Sequence, residues 1–509
     1  MAPERWLFWH RRDLRLTDNL GLALAADHTP AVTGVYVLDP TLLDADDQAP
    51  ARLWFLRDSL AELQESWRMA GSRLLLLQGD PAELLPRLAT ALAAGTVAWN
   101  REVEPLSRAR DRRVAAALGA VGVRVQADWD QLLVAPEALR TGAGEPYRVY
   151  GPFLRNWRSQ LERKAPLGAA TTGGLAPVAA PSGLLDLALD AIPAERRPQG
   201  GALPLLAALP ATLTETLTAA RAFAGAELCP CRPGEAAALA QLVAFTDASG
   251  PLAKGKGIPL LAYEPGRNLP GDAGTSALSA ALAFGTISPR QCWAAAQVAR
   301  AQARGTEDLH SITVWEQELG WREFYQQALF HFPALAEGPF RPQWRHFPWQ
   351  NTPAWLESWS EGLTGMPIVD AAMRQLNRSG WMHNRCRMIV ASFLVKDLIC
   401  DWRLGERLFM TRLVDGDLAA NNGGWQWTAS SGMDPRPLRI FNPATQAGRF
   451  DPEARYIRHW LPELAHVSNA DLISGSIAPL ERRGYPEPLV DHRRQQALFK
   501  ELYAGLPRG

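Results

Sequence analysis

The stretch AVTGVYVLD, residues 31–39, reads as a buried β-strand, and four short apolar runs flank it: WLFWH (6–10), SRLLLLQGD (72–80), GTVAWN (95–100) and GVRVQA (122–127). Helical stretches lie between them at 19–26, 51–70, 81–94 and 105–118. Parallel neighbours need crossover connections, so this alternation predicts an α/β domain over residues 1–133, built on a doubly wound parallel sheet of five strands. Such a sheet binds ligands at the carboxyl ends of its strands. Those ends carry His10, Arg11, Arg12, Asp39, Gln78, Asn100 and Glu102. No GxGxxG or P-loop follows any strand, which argues against a conventional dinucleotide or nucleoside-triphosphate site in this domain.

Residues 134–235 contain GEPYRVYGPF and then a stretch rich in Ala, Pro, Gly and Leu, including TTGGLAPVAAPSG and RRPQGGALP. This composition predicts an interdomain linker with one or two short helices and no chemistry of its own. Beyond it strand patterns vanish. Helical periodicity recurs at 233–246, 276–283, 289–303, 311–330, 354–363, 368–379, 383–398, 402–414 and 491–506, predicting a large all-helical domain over 236–509.

The 53 basic and 53 acidic residues among 509 cancel, which excludes a histone-like binder of polyanions. Contact with nucleic acid must come from a local patch, and Arg374, Arg378, Arg385, Arg387, Arg436 and Arg439 form a candidate; a solvated face is the alternative. No apolar run reaches 18 residues and the start, MAPERWLFWHRRDLR, lacks a secretory pattern, so a soluble cytoplasmic protein is expected. Cys229, Cys231, Cys292, Cys386 and Cys400 make neither a disulfide framework nor zinc spacing. The 19 tryptophans, many outside any core pattern, ask for a role beyond packing.

In VWEQELGWREFY (314–325), Trp315, Glu318, Arg322 and Tyr325 share one helix face. An acid among aromatics is costly unless it binds something, although an intrahelical Glu318–Arg322 pair would also explain it. In TGMPIVDAAMRQLNRSGWMHNRCRM (364–388), Trp381, Asn384 and Met388 fall on one face of the second helix. With Arg387, Asp415 and Asp417, Asn384 makes a polar set inside an apolar domain, for which a polar cofactor is one partner. DGDLAANNGGWQW (415–427) is poor helix and poor strand material and reads as a site wall where backbone approaches a ligand. In YEPGRNLPGDAGTSALS (263–279), Thr275 or Ser276 could cap the following helix and offer amides to a phosphate, or be a plain N-cap.

Together, WMHNRCRM, DGDLAANNGGWQW, VWEQELGWREFY, TSALS and FWHRRDLRLTDN resemble the photolyase and cryptochrome family, specifically its class I cyclobutane pyrimidine dimer photolyases, over about residues 5–495. The resemblance implies a light-harvesting antenna in the α/β domain, FAD bound by the helical domain, and UV-damaged DNA as partner of a monomer. Photolyases as a class take their target out of the base stack. The implied reaction is light-driven electron transfer from reduced FAD to a flipped-out dimer. The implied FAD contacts are Tyr263, Thr275, Ser276, Ala277, Leu278, Ser279, Trp315, Arg322, Asn384, Arg387, Asp415, Gly416, Asp417 and Asn421, the last facing the flavin N5. Glu318 would hydrogen-bond the dimer in a pocket lined by Trp321, Met388 and Trp427, while Arg267, Arg385 and Arg439 would hold DNA phosphates. Trp425, Trp402 and Trp349 match the family's electron-transfer chain from the surface to the flavin.

Within the family, (6-4) photolyases usually carry a second His where this chain has Asn384, and cryptochromes, which are signalling receptors, often replace Asn421 and add a long tail. The motifs therefore favour the cyclobutane dimer over those alternatives, over a DASH-type protein and over a flavin scaffold without repair. For the antenna, Ser107 stands where folate-type members place an acid. WNREVEP and DDQAPAR resemble the 8-hydroxy-5-deazaflavin type, with Arg52 and Glu102 as contacts, although Ala283 replaces an expected lysine.

Overall fold

A computed structural model describes residues 3–43, 47–164, 175–186, 205–206, 225–247, 258–433 and 438–506; Arg436 and most of the 165–235 linker lie outside the described residues. The N-terminal sheet consists of β1 (Trp6–His10), β2 (Val32–Leu38), β3 (Leu74–Gln78), β4 (Thr96–Asn100), β5 (Arg124–Asp128) and β6 (Leu205–Leu206), in the order β5-β4-β1-β2-β3-β6. The first five run parallel, as the apolar runs predicted. A sixth strand, a two-residue antiparallel edge pairing Leu205 and Leu206 with Leu77 and Leu76, extends the five-stranded parallel sheet. Two residues are too short to leave an alternation signal.

Both faces are covered, so the strands need no polar face. Leu7, Trp9, Val35 and Val97 pack under α3 (Pro81–Leu92) and α4 (Pro105–Ala120). Trp6, Phe8, Val32 and Ala98 pack on the other side under α1 (Leu20–His28) and α2 (Pro50–Met69). The direction of winding reverses between β1 and β4, so the residues after those strands, Arg11, Arg12 and Glu102, share the ligand-binding crevice typical of such sheets.

The segment read as linker contributes α5 (Tyr150–Lys164), which buries Phe153, Trp157 and Leu161 against the helical half. Its anchor is Glu323, a buried carboxyl that accepts N–H groups from Leu133, Val134 and Trp157. Burial pushes Glu323 up to about 7 against the pull of those donors. Removing the carboxyl would strand three buried N–H groups at about 1–3 kcal/mol each.

The helical half is organised around α6 (Glu235–Thr246), α7 (Ser279–Phe284), α8 (Pro289–Gln302), α9 (Thr306–His331), α10 (Pro367–Ser379), α11 (Asn384–Lys396), α12 (Trp402–Met410), α13 (Leu418–Ala429), α14 (Pro443–Phe450) and α15 (His492–Ala504). A buried ionic cluster ties it to the sheet: Arg290 of α8 meets Asp18 at 3.1 Å and Asp130 at 2.7 Å, and Arg15 meets Asp130 at 2.6 Å. No described helix is long and apolar enough to cross a membrane.

Two local readings are corrected. Residues 418–429, read as poor helix material, form α13. Asp417 caps it by accepting the Ala420 N–H at 2.9 Å, and Asn422 is tied to Glu406 and Gln426, so tertiary contacts override weak propensity. A Cβ on Gly423 would fall 2.2 Å from the Tyr325 ring; this glycine admits a neighbouring helix. Thr275 and Ser276 do not cap α7: its N-cap is Leu278, with no side-chain cap bond.

Candidate active site

Helices α9, α11 and α13 enclose a cavity of about 810 Å³, within the ~300–1,000 Å³ usual for cofactor and small-molecule pockets. Helical spacing brings three sets of side chains to it. From α9 come Glu318, Trp321, Arg322 and Tyr325; from α11, Asn384, Arg385, Arg387 and Met388; from α13 and the turn before it, Asp415, Asp417, Asn421, Trp425 and Trp427. Arg267, Ser279 and Arg439 complete the wall.

Part of the cavity lining is polar. Arg387 donates to both oxygens of Asp415, at 2.8 and 3.1 Å, and also to the Met382 carbonyl at 2.8 Å. Arg322 donates to the carbonyls of Gln131 and Leu282, at 2.8 and 3.3 Å. The intrahelical Glu318–Arg322 pair is therefore not formed. Asn421 donates to the Glu406 carbonyl at 3.0 Å, leaving its own oxygen for other partners. His383 caps α11 by accepting the Arg385 N–H at 3.1 Å, and burial holds it neutral, down to about 4. Its buried Nε2 has no partner among the described residues.

Another part of the lining is aromatic and carries an acid, Glu318. Glu318 pairs with Arg267 at 2.6 Å; burial raises its pKa above the usual carboxylate range while that arginine pulls it down. Its side chain keeps 34% of its accessible surface, which faces the cavity. Trp321 stacks on Tyr150, ring centroids 3.4 Å apart at 10°, and the Arg439 guanidinium lies 4.4 Å from the Trp427 ring centroid. Arg385 donates to Asn268 at 2.6 Å and covers Phe450 at 4.4 Å.

Other candidate residues lie behind this wall. Tyr263 is buried under Arg267, whose guanidinium is 5.3 Å from its ring. Trp315 donates to the Ser276 hydroxyl at 3.4 Å, and Ala277 takes a left-handed φ of 51° beside buried Leu278. Trp402 is buried, and Trp349 is half-buried with its ring 4.2 Å from Phe347. Among the described residues no ring contact joins Trp402 to Trp425 or Trp349. The 349–351 and 399–402 segments do run together: Gln350 N–H donates to the Ile399 carbonyl at 2.9 Å and Asp401 N–H to Asn351 at 2.7 Å.

The crevice of the sheet is lined by charges that pair with one another. Glu102 sits among Arg11 at 3.3 Å, Arg110 at 3.1 Å and the Ser107 hydroxyl at 2.8 Å, which together hold its carboxyl at about 2 despite burial. Arg12 bridges Glu104 and Asp417, reaching the latter at 2.7 Å. Arg52 closes on Gly416, where a Cβ would fall 2.1 Å from its guanidinium.

The reading of the sequence missed Tyr150, which lines the cavity from α5 and donates its hydroxyl to the Gln317 carbonyl at 2.9 Å. Its signal was present in the spacing of Tyr150, Phe153, Trp157 and Leu161, one helix face. Missed too was Glu406, joined to Asn422 at 2.9 Å and pushed up to about 7 by burial.

The donor set fits a flavin dinucleotide: guanidinium and amide groups for an anionic diphosphate and a polar ring edge, with aromatic side chains in the same lining. Gly424 adds room, since a Cβ there would meet nothing within 4 Å although the residue lines the cavity.

Comparison with known proteins agrees. Residues 6–171 match the family model described as DNA photolyase, and 315–505 match the FAD binding domain of DNA photolyase, making FAD the cofactor of the helical half. The deoxyribodipyrimidine photo-lyase of a Synechococcus strain is 53% identical over 98% of this chain and 96% of its own length. That of Escherichia coli is 37% identical over 99% of both chains. A class III photolyase from Agrobacterium tumefaciens superposes with a TM-score of 0.84 at 36% identity, covering 99% of this chain and 98% of its own. A cryptochrome from Synechocystis follows at 0.81 and 28%, covering 99% of each chain. Both halves of the chain and the cavity between its helices therefore place it in one lineage: the chain belongs to the DNA photolyase family.

Proposed function

We propose that this protein repairs cyclobutane pyrimidine dimers in DNA, using light, in the cavity bounded by α9, α11 and α13. The observation that carries the reading is the mixed lining of one cavity, which brings the polar set of Asn384, Arg387, Asp415 and Asn421 together with an acid, Glu318, and with Trp321, Met388 and Trp427. Reduced FAD, when bound, supplies the light-driven electron that opens the cyclobutane ring. Arg322, Asn384, Arg387, Asp415, Asp417, Asn421 and Ser279 hold it from the cavity wall. Tyr263, Thr275, Ser276, Ala277, Leu278, Trp315 and Gly416 support it from behind.

Trp321 and Trp427 flank the flipped dimer and exclude water, which strengthens each polar contact inside. Arg267, Arg385 and Arg439 engage phosphates. A phosphate drawing Arg267 away would leave Glu318 more desolvated and uncompensated, and so protonated. A neutral Glu318 donates to a pyrimidine carbonyl as negative charge develops there.

The sign follows from the raised pKa: the donor is present at low pH and lost as pH rises through it. Repair per absorbed photon is expected to fall with rising pH in the wild type. Glu318→Gln keeps an N–H donor and flattens that profile. Glu318→Ala removes a hydrogen bond worth about 1.5–3 kcal/mol, roughly ten- to a hundredfold in the step it serves. Wild-type yield in the alanine variant would contradict the assignment.

The antenna reading is 8-hydroxy-5-deazaflavin in the β1/β4 crevice, contacted by Arg52 and Glu102. Its support is the resemblance of the two segments that carry those residues and the position of Glu102 just after β4, at the reversal of the sheet; Arg52 lies further off, in the first turn of α2. A photolyase from Sulfolobus tokodaii, 28% identical with a TM-score of 0.76, is described with two FAD molecules and a novel light-harvesting cofactor, so extraction of the bound chromophore decides between deazaflavin and a second flavin.

A further inference from the structure

Helix α11 does more than line the cavity. Met388, Ser392 and Lys396 follow at four-residue spacing and lie along one face. Met388 reaches the cavity. Ser392 accepts the Phe441 N–H at 3.2 Å, and the Lys396 ammonium donates to the Arg439 carbonyl. Lys396 is 0% exposed, and among the described residues that carbonyl is its hydrogen-bond acceptor. Burying an ammonium is expensive, and an apolar side chain of similar volume is often as stable in such a place. Burial, with Arg439 nearby, brings this lysine down to about 7. Packing alone does not account for a lysine here.

What it holds is a short strap, residues 438–442. Leu438 and Ile440 rest on the helical core, and Asn442 ends the strap by accepting the Thr445 N–H at 2.9 Å as cap of α14. Between them Arg439 lies over Trp427, and both line the cavity. One rigid helix thus carries Asn384 and Arg385 at one end and the tether of Arg439 at the other.

We propose that Lys396 and Ser392 are positioning residues for DNA recognition: they pin the strap so that Arg439 stays on Trp427, where a phosphate beside the flipped dimer meets it. This rests on reading Arg439 as a phosphate contact.

The test uses the full-length, FAD-loaded protein and a duplex carrying one cyclobutane thymine dimer. Lys396→Met is expected to weaken binding on the order of tenfold and to lower the slope of log affinity against log salt by about one unit. Flavin content and repair per absorbed photon at saturating DNA stay at wild-type values. Lys396→Arg restores most of the affinity. In an Arg439→Ala background, Lys396→Met has no further effect. Ser392→Ala repeats the pattern more weakly and carries the test if the methionine variant does not fold. Wild-type affinity in Lys396→Met and Ser392→Ala overturns the positioning role, as does a loss additive with Arg439→Ala. If Arg439→Ala alone changes neither affinity nor salt slope, the phosphate contact itself is wrong, and the proposal falls with it.

Discussion

Trp349→Phe is expected to stop light-driven reduction of oxidised FAD by an external reductant while leaving the cavity intact, so that chemical reduction restores dimer repair. The expectation rests on the resemblance that orders these three rings, and on Trp349 being half-buried, Trp402 buried and Trp425 on the cavity wall. Trp425 is pressed against α12, where a Cβ on Gly405 would fall 2.1 Å from its ring, so the helix that begins with Trp402 touches Trp425. If these rings served only packing, phenylalanine would cost some stability through lost contact and leave photoreduction unchanged. Flavin absorbance under blue light, followed by repair after dithionite, separates the two. Normal photoreduction in the variant would remove Trp349 from the electron path.

The second large effect concerns Asp415. Its carboxylate is 3% exposed, and its arginine partner, Arg387, is 25% exposed on the cavity wall. Breaking a buried pair by removing one partner costs about 3–5 kcal/mol, and the partial exposure of Arg387 places this case at the lower end. Asp415→Ala is expected to purify with little bound flavin and to melt several degrees lower. A double variant that also replaces Arg387 with Met should regain part of the stability but not the flavin. Full flavin stoichiometry in Asp415→Ala would show that the pair is structural and that the cofactor is held elsewhere.

Those two effects also mark where the sequence was readable. Apolar runs reveal the five parallel strands because both faces of the sheet are buried, and the charges after β1 and β4 fall in one crevice because the winding reverses there. The cavity residues of α9 and α11 were legible because helical spacing alone puts Glu318 with Arg322 and Asn384 with Met388 on one face. Spacing could not reveal that Glu318 is paired with Arg267, 51 residues earlier in the chain and joined to it at 2.6 Å. Helix α13 was illegible for a related reason: Asn421, Asn422, Gly423 and Gly424 have weak intrinsic propensity, and the Asp417 cap and the Glu406 contact that rescue them come from tertiary structure. A short helix was expected in the segment that holds α5, but the Pro- and Gly-rich sequence that follows it hid its length and the place of Tyr150 in the cavity, although its own apolar spacing was regular. The antenna contacts were named from resemblance, and the structure surrounds Glu102 with Arg11 and Arg110.

The central claim is light-driven repair of the cyclobutane dimer in the cavity of the helical half. The most direct measurement gives the purified protein, with its FAD reduced, an oligonucleotide carrying a single cyclobutane thymine dimer and follows the dimer with and without blue light. The account predicts conversion to intact thymines in the light and none in the dark. Repair of a (6-4) photoproduct with no action on the cyclobutane dimer, or no light-dependent change in either lesion, would contradict it.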